Sequence, residues 1–184
     1  NQFTYDSDPI GARCPLGSHI RRANPRNADF PNPVRGMISH LIQTLGFGRK
    51  NIRDDLMSPT RFHRLLRRGR EYGDELTPED VLQGKPDNSE HGLHFICINS
   101  NIARQFEFVQ GAWLMSTKFN GLSEESDPLM GNREPVQGCP APDMFSIPNG
   151  NGLCERRTGL PQFVTVRGGA YFFLPSLRAL RYFA

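Results

Sequence analysis

The fold class this sequence predicts is α+β, a ferredoxin-like antiparallel sheet with helices on one of its faces. Three observations predict it. Short apolar runs at 93–98, 163–166 and 171–174 have strand length and no helical spacing. After the first of them, Ile102, Phe106, Val109 and Trp113 recur at intervals that place them on one helical face. With Pro 15 and Gly 18 in 184 residues, many irregular connections are expected rather than a compact helical bundle.

The elements follow in order. Residues 1–33 are rich in Pro, Asn, Asp and Arg without a sustained period, so they read as an ordered loop with one helical turn around His19. Over 34–46, Val34, Met37, Ile38, Leu41, Ile42 and Leu45 form an amphipathic stripe that Gly46 and Gly48 end. Residues 47–60 are polar, and Pro59 marks a break before 61–72, read as a strand carrying arginines. An acidic, Pro-containing loop covers 73–91, and 93–98 is apolar at every other position on both faces, as suits a central buried strand. Ser100 or Asn101 can cap the helix that follows. Residues 119–160 form a long irregular stretch, of a length expected only for a functional or partner-packed loop. The runs 163–166 and 171–174 flank Gly168 and Gly169 as a hairpin or bulged strand, and Pro175 opens a last helix with Leu177, Leu180 and Phe183. There is no internal repeat.

Charge is distributed unevenly. The net +3 divides into +8 over residues 1–70 and −5 over 71–184. Twelve of the thirteen basic residues in the first part are Arg, and only Lys50 is Lys. Arginine suits planar, bidentate recognition, so an anionic partner is expected: nucleic acid, phosphate, or a cofactor bearing carboxylates. No apolar run approaches the length of a membrane span. The first residue, Asn1, implies a start that was processed, trimmed or left out, which leaves the compartment open between extracellular and cytoplasmic.

None of the four cysteines forms a CxxC pair, so a structural zinc site is not expected, and no CxxCH signals covalent heme attachment. Cys97 reads as a buried free thiol. Cys139 and Cys154 flank a Pro/Gly/Asn-rich loop, and spacing leaves their pairing open.

Four segments carry chemistry. In Arg13-Cys14-Pro15-Leu16-Gly17-Ser18-His19-Ile20-Arg21-Arg22-Ala23-Asn24-Pro25-Arg26, one His lies among four arginines. A neutral imidazole can ligate heme iron and guanidinium groups can hold its propionates; a surface His in a basic loop is the plainer reading. His63-Arg64-Leu65-Leu66-Arg67-Arg68-Gly69-Arg70-Glu71-Tyr72-Gly73 could read nucleic-acid phosphates, stabilise charge on a peroxide oxygen, or form a solvated basic face. The aromatic residues lie in apolar strands and helices, not interleaved with the arginines, which argues against nucleic acid. The third, His91 to Asn101 running into Phe106-Glu107-Phe108-Val109-Gln110, and the fourth, Gly168 to Ser176, read by themselves as core strands turning into helices.

Together and in this order, the four segments resemble the dye-decolorising-type heme peroxidases, over nearly the whole chain and closest to the longer members with an inserted helix. The resemblance implies the second half of a two-lobed, dimeric α+β barrel-type peroxidase: a heme-ligand loop and inserted helix over 1–60, and a ferredoxin-like half over 61–184. It implies heme b as cofactor, hydrogen peroxide and an organic electron donor such as a dye or phenol as substrates, and His19 as the proximal iron ligand. Asn24 and Arg26 match residues lining the heme edge near a propionate. Arg67 matches the distal arginine beside the peroxide, with Arg68 as the alternative if the register differs by one, and Phe95 falls over the distal heme face. Asp127, in the Ser126-Asp127-Pro128 turn, is a candidate acceptor for the imidazole N–H. Trp113 and Tyr171 are candidate electron relays, though packing in the helix core is the plainer role for Trp113. The family's GxxDG motif, whose Asp takes the peroxide proton, is not in this chain: Asp6 and Asp8 precede His19 without its glycines. A second polypeptide forming the N-terminal half, supplying that Asp and covering an exposed sheet face, is therefore expected. A non-catalytic heme-binding or heme-delivery protein of the same fold is the alternative function.

Overall fold

The computed structural model describes residues 3–26, 59–75, 77–84, 89–133, 143–149 and 153–183. The helix expected over 34–46, and Cys139 with its pairing to Cys154, lie outside them. The described residues are mixed α and β, with two small antiparallel sheets that do not close into a barrel.

A one-turn helix, α1 (His19–Ala23), forms around His19 as expected. The stretch 61–72 is not one strand. A 3-10 turn (Thr60–His63) comes first, and β1 (Leu66–Tyr72) starts after it. The turn forms because His63 leaves the strand direction to stack on Phe108, with ring centroids 3.7 Å apart, and meets the edge of Trp113. Within the acidic loop a short helix, α2 (Pro78–Leu82), is capped by Thr77, whose hydroxyl accepts from the Asp80 N–H.

β1 pairs antiparallel with β2 (Gly92–Ile98), from Leu66 opposite Ile98 to Tyr72 opposite Gly92. Strand alternation then places Arg67, Gly69 and Glu71 on one face with Leu93, Phe95 and Cys97. Leu66, Arg68, Arg70 and Tyr72 share the other with His94, Ile96 and Ile98. The expectation of a buried central strand is corrected here. Leu93, Ile96 and Ile98 are at least half exposed, because β1 alone pairs with β2 and no described element covers the pair. Cys97 is a free thiol, half-buried rather than buried.

Two π-helical stretches, Ala103–Glu107 and Val109–Met115, run into one another across Phe108. The sequence spacing suggests an ordinary α-helix; the wider ladder coincides with outside groups taking main-chain partners at both ends. Gln105 Oε1 accepts from the N–H groups of Ser100 and Asn101 at 2.8 and 3.0 Å. At the far end, the carbonyls of Trp113 and Leu114 accept from the Arg22 guanidinium and the Asp127 N–H. Trp113 is buried with Val109 and Phe119, and Phe108, Leu114 and Leu122 pack around them.

Part of the long irregular stretch is a small hairpin, β3 (Phe145–Pro148) against β4 (Cys154–Arg157). The hairpin expected at 163–166 and 171–174 does not form. Those residues pair with no strand among the described residues, and Phe172 and Phe173 are almost fully exposed. The last helix, α3 (Leu177–Phe183), follows Pro175 as expected, and Ser176 Oγ accepts from the Ala179 N–H.

Candidate functional site

Among the described residues, the buried apolar cluster is Val109, Trp113 and Phe119, and α1 meets it through Arg22. Arg21 and Arg22 of α1 are both buried. Arg21 donates to the Asp8 carbonyl and the Cys14 carbonyl at 2.9 Å each and to Asp8 Oδ2 at 3.3 Å, with its guanidinium over the Tyr5 ring. Arg22 is fully buried and surrounded by carbonyl oxygens: Gly17 at 3.1 Å, Trp113 at 2.8 Å, Ser116 at 3.1 Å and Glu125 at 2.8 Å. Burial lowers its pKa, while the carboxylates of Glu125 and Asp127 act in the opposite direction. A single guanidinium thus joins α1, the end of the π-helix and the segment that carries Asp127.

That segment meets His19. Imidazole Nδ1 lies 3.1 Å from Oδ1 and 3.0 Å from Oδ2 of Asp127, whose side chain has no solvent exposure. The N–H groups of Leu129 and Met130 donate to Asp127 Oδ1 at 2.9 and 2.8 Å. A carboxylate held in this way is an acceptor, so Nδ1 is the donor in this contact and Nε2, across the ring, takes no part in it. His19 itself is one-third exposed, so the ring remains reachable.

The other sequence-derived candidates fall in two places. Asn24 closes α1, its N–H donating to the Ile20 carbonyl at 3.1 Å. Arg26 follows in the left-handed region, φ +63°, a conformation that costs a non-glycine residue energy. Its carbonyl accepts from the Thr60 hydroxyl, and its buried Nε has no hydrogen-bond partner. Arg67 and Phe95 lie on β1 and β2 and share one face of the pair, whereas Arg68 points to the opposite face. Gly69 stands directly opposite Phe95, and a Cβ there would press on Leu93 Cδ1 at 3.1 Å. Tyr171 donates to Glu107 Oε1 at 3.0 Å and is exposed, while Trp113 is a core residue.

Sequence reasoning missed Arg22, Asp8 and Arg133. The doubled arginine after the histidine was visible, but a guanidinium paired only with carbonyls leaves no complementary acidic residue to find.

Asp8 gives a prediction about the loop that leads to His19. Burial alone would raise its carboxyl, but the N–H groups of Cys14, Arg13 and Ala12 and the Arg21 guanidinium together hold it below the ordinary range. A carboxyl lowered by folding contributes stability above its unfolded value, about 3.9, and that stability is lost as pH falls through the lower folded value. Melting temperature recorded by circular dichroism is therefore expected to fall with acid below about pH 4, and Asp8→Asn to flatten that part of the curve. An unchanged acid slope in Asp8→Asn would remove Asp8 as its source.

No protein-family model matches the chain. Curated relatives do. A multifunctional dye peroxidase of Amycolatopsis sp. is 34% identical over 98% of this chain and 34% of its own length. The dye-decolorizing peroxidase msp1 of Mycetinis scorodonius is 31% identical over 98% of this chain and 32% of its own. Among solved structures, an ancestral D-type dye decolorizing peroxidase superposes with TM-score 0.65 at 31% identity, covering 98% of this chain and 35% of that one. A dye-decolorizing peroxidase in complex with cyanide gives TM-score 0.64 at 28% identity, covering 99% and 34%. The chain spans about a third of the length of the curated relatives it matches.

Proposed function

We propose, for a chain whose sequence and fold are those of a dye-decolorising-type peroxidase along about a third of that protein's length, that it serves as the heme-holding part of such an enzyme, which reduces hydrogen peroxide and oxidises dyes, phenols or other organic donors. The observation that carries the reading is His19, whose Nδ1 lies 3.1 and 3.0 Å from the two oxygens of the buried Asp127 carboxylate, which leaves Nε2 outside that contact.

The residues present fit heme b. Among the described residues no three His, Cys, Asp or Glu side chains gather to hold a bare ion, so the donor is a single imidazole of the kind that ligates heme iron. Arg26, with its unpartnered buried Nε, and Asn24 beside it suit a propionate edge. Heme, when bound, supplies the redox chemistry. His19 would hold the iron, and Asp127 would raise the basicity of that ligand through Nδ1. Arg67 would stabilise negative charge on peroxide oxygen, with Phe95 on the same face of the strand pair. The proton of the peroxide would go to a carboxylate, for which this sequence holds no GxxDG motif.

The division into a heme-ligand part, 1–60, and a ferredoxin-like part, 61–184, belongs to the same proposal. So does a second polypeptide segment, forming the N-terminal half, that bears that carboxylate and covers the exposed apolar faces around Ile96, Phe172 and Phe173.

Removing the charge of Asp127 tests the reading. Asp127→Asn is expected to lower heme affinity or peroxide-dependent dye oxidation by about 10–100-fold, the usual cost of losing a partner behind a metal-ligating His. Hemin titration followed at the Soret band measures the first, and dye bleaching the second. A Soret band with no turnover in the presence of the complementary half would instead support a heme-binding or heme-delivery protein.

A further inference from the structure

We propose that Arg133 and Gly131 are positioning residues for the His19 imidazole, acting through the turn that carries Asp127. The structural part of this inference stands without heme; only its consequence for iron rests on the function proposed above.

The bonds from Leu129 and Met130 fix the Asp127 carboxylate to its own turn. The main-chain groups of Asp127 hold the rest of the turn. Its N–H donates to the Leu114 carbonyl at 2.9 Å, which ties the turn to the end of the π-helix. Its carbonyl accepts twice, from the Gly131 N–H and from Arg133 Nη2, each at 2.9 Å. Arg133 Nη1 also reaches Ser126 Oγ at 3.3 Å, so one guanidinium spans two consecutive residues of the turn. Ser126 and Asp127 are fully enclosed, so a bond lost here is not replaced by water.

Gly131 is required by space. A Cβ at this position would stand 2.4 Å from the Asp127 carbonyl oxygen and 2.2 Å from Ser126 Oγ, closer than real atoms approach. The first of these is main chain, so a side chain at 131 moves the turn itself.

Small movements matter because the imidazole is poised between two oxygens. Nδ1 lies within 0.1 Å of equidistant from Oδ1 and Oδ2, at 3.1 and 3.0 Å. Turning the carboxylate away lengthens both contacts together and relaxes the demand that Nδ1 hold the proton. Arg133 also places positive charge near the Asp127 carboxylate, and the carboxylate in turn opposes the lowering that burial imposes on the guanidinium.

Nitrogen NMR of histidine-labelled apo-protein reads the tautomer directly. The wild type is expected to show one His19 form, protonated at Nδ1. Arg133→Met and Gly131→Ala are expected to show both tautomers, and Arg133→Lys, which keeps the charge and loses the fork, to fall between. Circular dichroism shows that the variants compared are folded. A single wild-type tautomer in folded Arg133→Met overturns the proposal; if that variant does not fold, a single tautomer in Arg133→Lys does so.

In heme-loaded protein the weaker acceptor is expected to favour the reduced iron about tenfold, a rise of about 59 mV in midpoint potential for a one-electron couple. Mixed tautomers in the apo-variants, with wild-type His19 resonances unmoved by hemin, would uphold the positioning role and remove His19 from the iron. The two readings can therefore fail separately.

Discussion

His19→Ala is expected to abolish the Soret band of added hemin bound at this site and peroxide-dependent dye oxidation together, the largest effect expected of a single substitution among the described residues. Among the described residues, His19 is the imidazole held by a buried carboxylate, with Nδ1 3.0 Å from Asp127 Oδ2 and Nε2 left outside that contact. The fold is expected to survive. Asp127 keeps the two N–H donors of Leu129 and Met130, so removal of the ring does not leave a bare buried charge. The packing behind the site belongs to Arg22, Trp113 and Phe119, which the substitution does not touch. Soret absorbance after hemin addition, with thermal unfolding recorded alongside, is the measurement. A folded variant with an unchanged Soret band would exclude His19 as the ligand.

The sequence made this half of the site partly legible, and the reason lies in distance along the chain. The histidine, the basic residues around it and the helical turn they form are local, and the structure contains them as expected. Asp127 was suggested only by a turn of the right type 108 positions away, and nothing local specifies that the two meet. What brings them together is Arg22, whose carbonyl partners at Gly17, Trp113, Ser116 and Glu125 carry no side-chain signature. Strand assignment failed where burial was assumed from apolarity. The run 93–98 is a strand, but Leu93, Ile96 and Ile98 are at least half exposed, and Phe172 and Phe173 are almost fully so. Apolar composition marks a side chain as suited to burial without saying what covers it.

Arg67→Leu is expected to slow peroxide consumption by about 10²–10³-fold, the range for removing one donor that meets developing charge, while heme binding stays near wild type. The separation follows from placement. On the function proposed above, heme would be held by His19, whose turn Arg22 and Asp127 anchor to the core, and Arg67 makes no part of that packing. Its strand register points it to the face it shares with Phe95 and Cys97, while Arg68 points away, so Arg68→Leu should leave peroxide consumption nearly unchanged. Arg67 is exposed in this chain alone, where solvent screens a guanidinium and weakens its hold on an anion. The full effect therefore belongs to the protein with its complementary half in place, and the same substitution should matter far less in the isolated chain. Rapid-mixing kinetics of peroxide consumption, with hemin affinity measured on the same preparations, decides the assignment. Equal losses from Arg67→Leu and Arg68→Leu would show that the face was misread, and loss of heme from Arg67→Leu would place this side chain in cofactor binding instead.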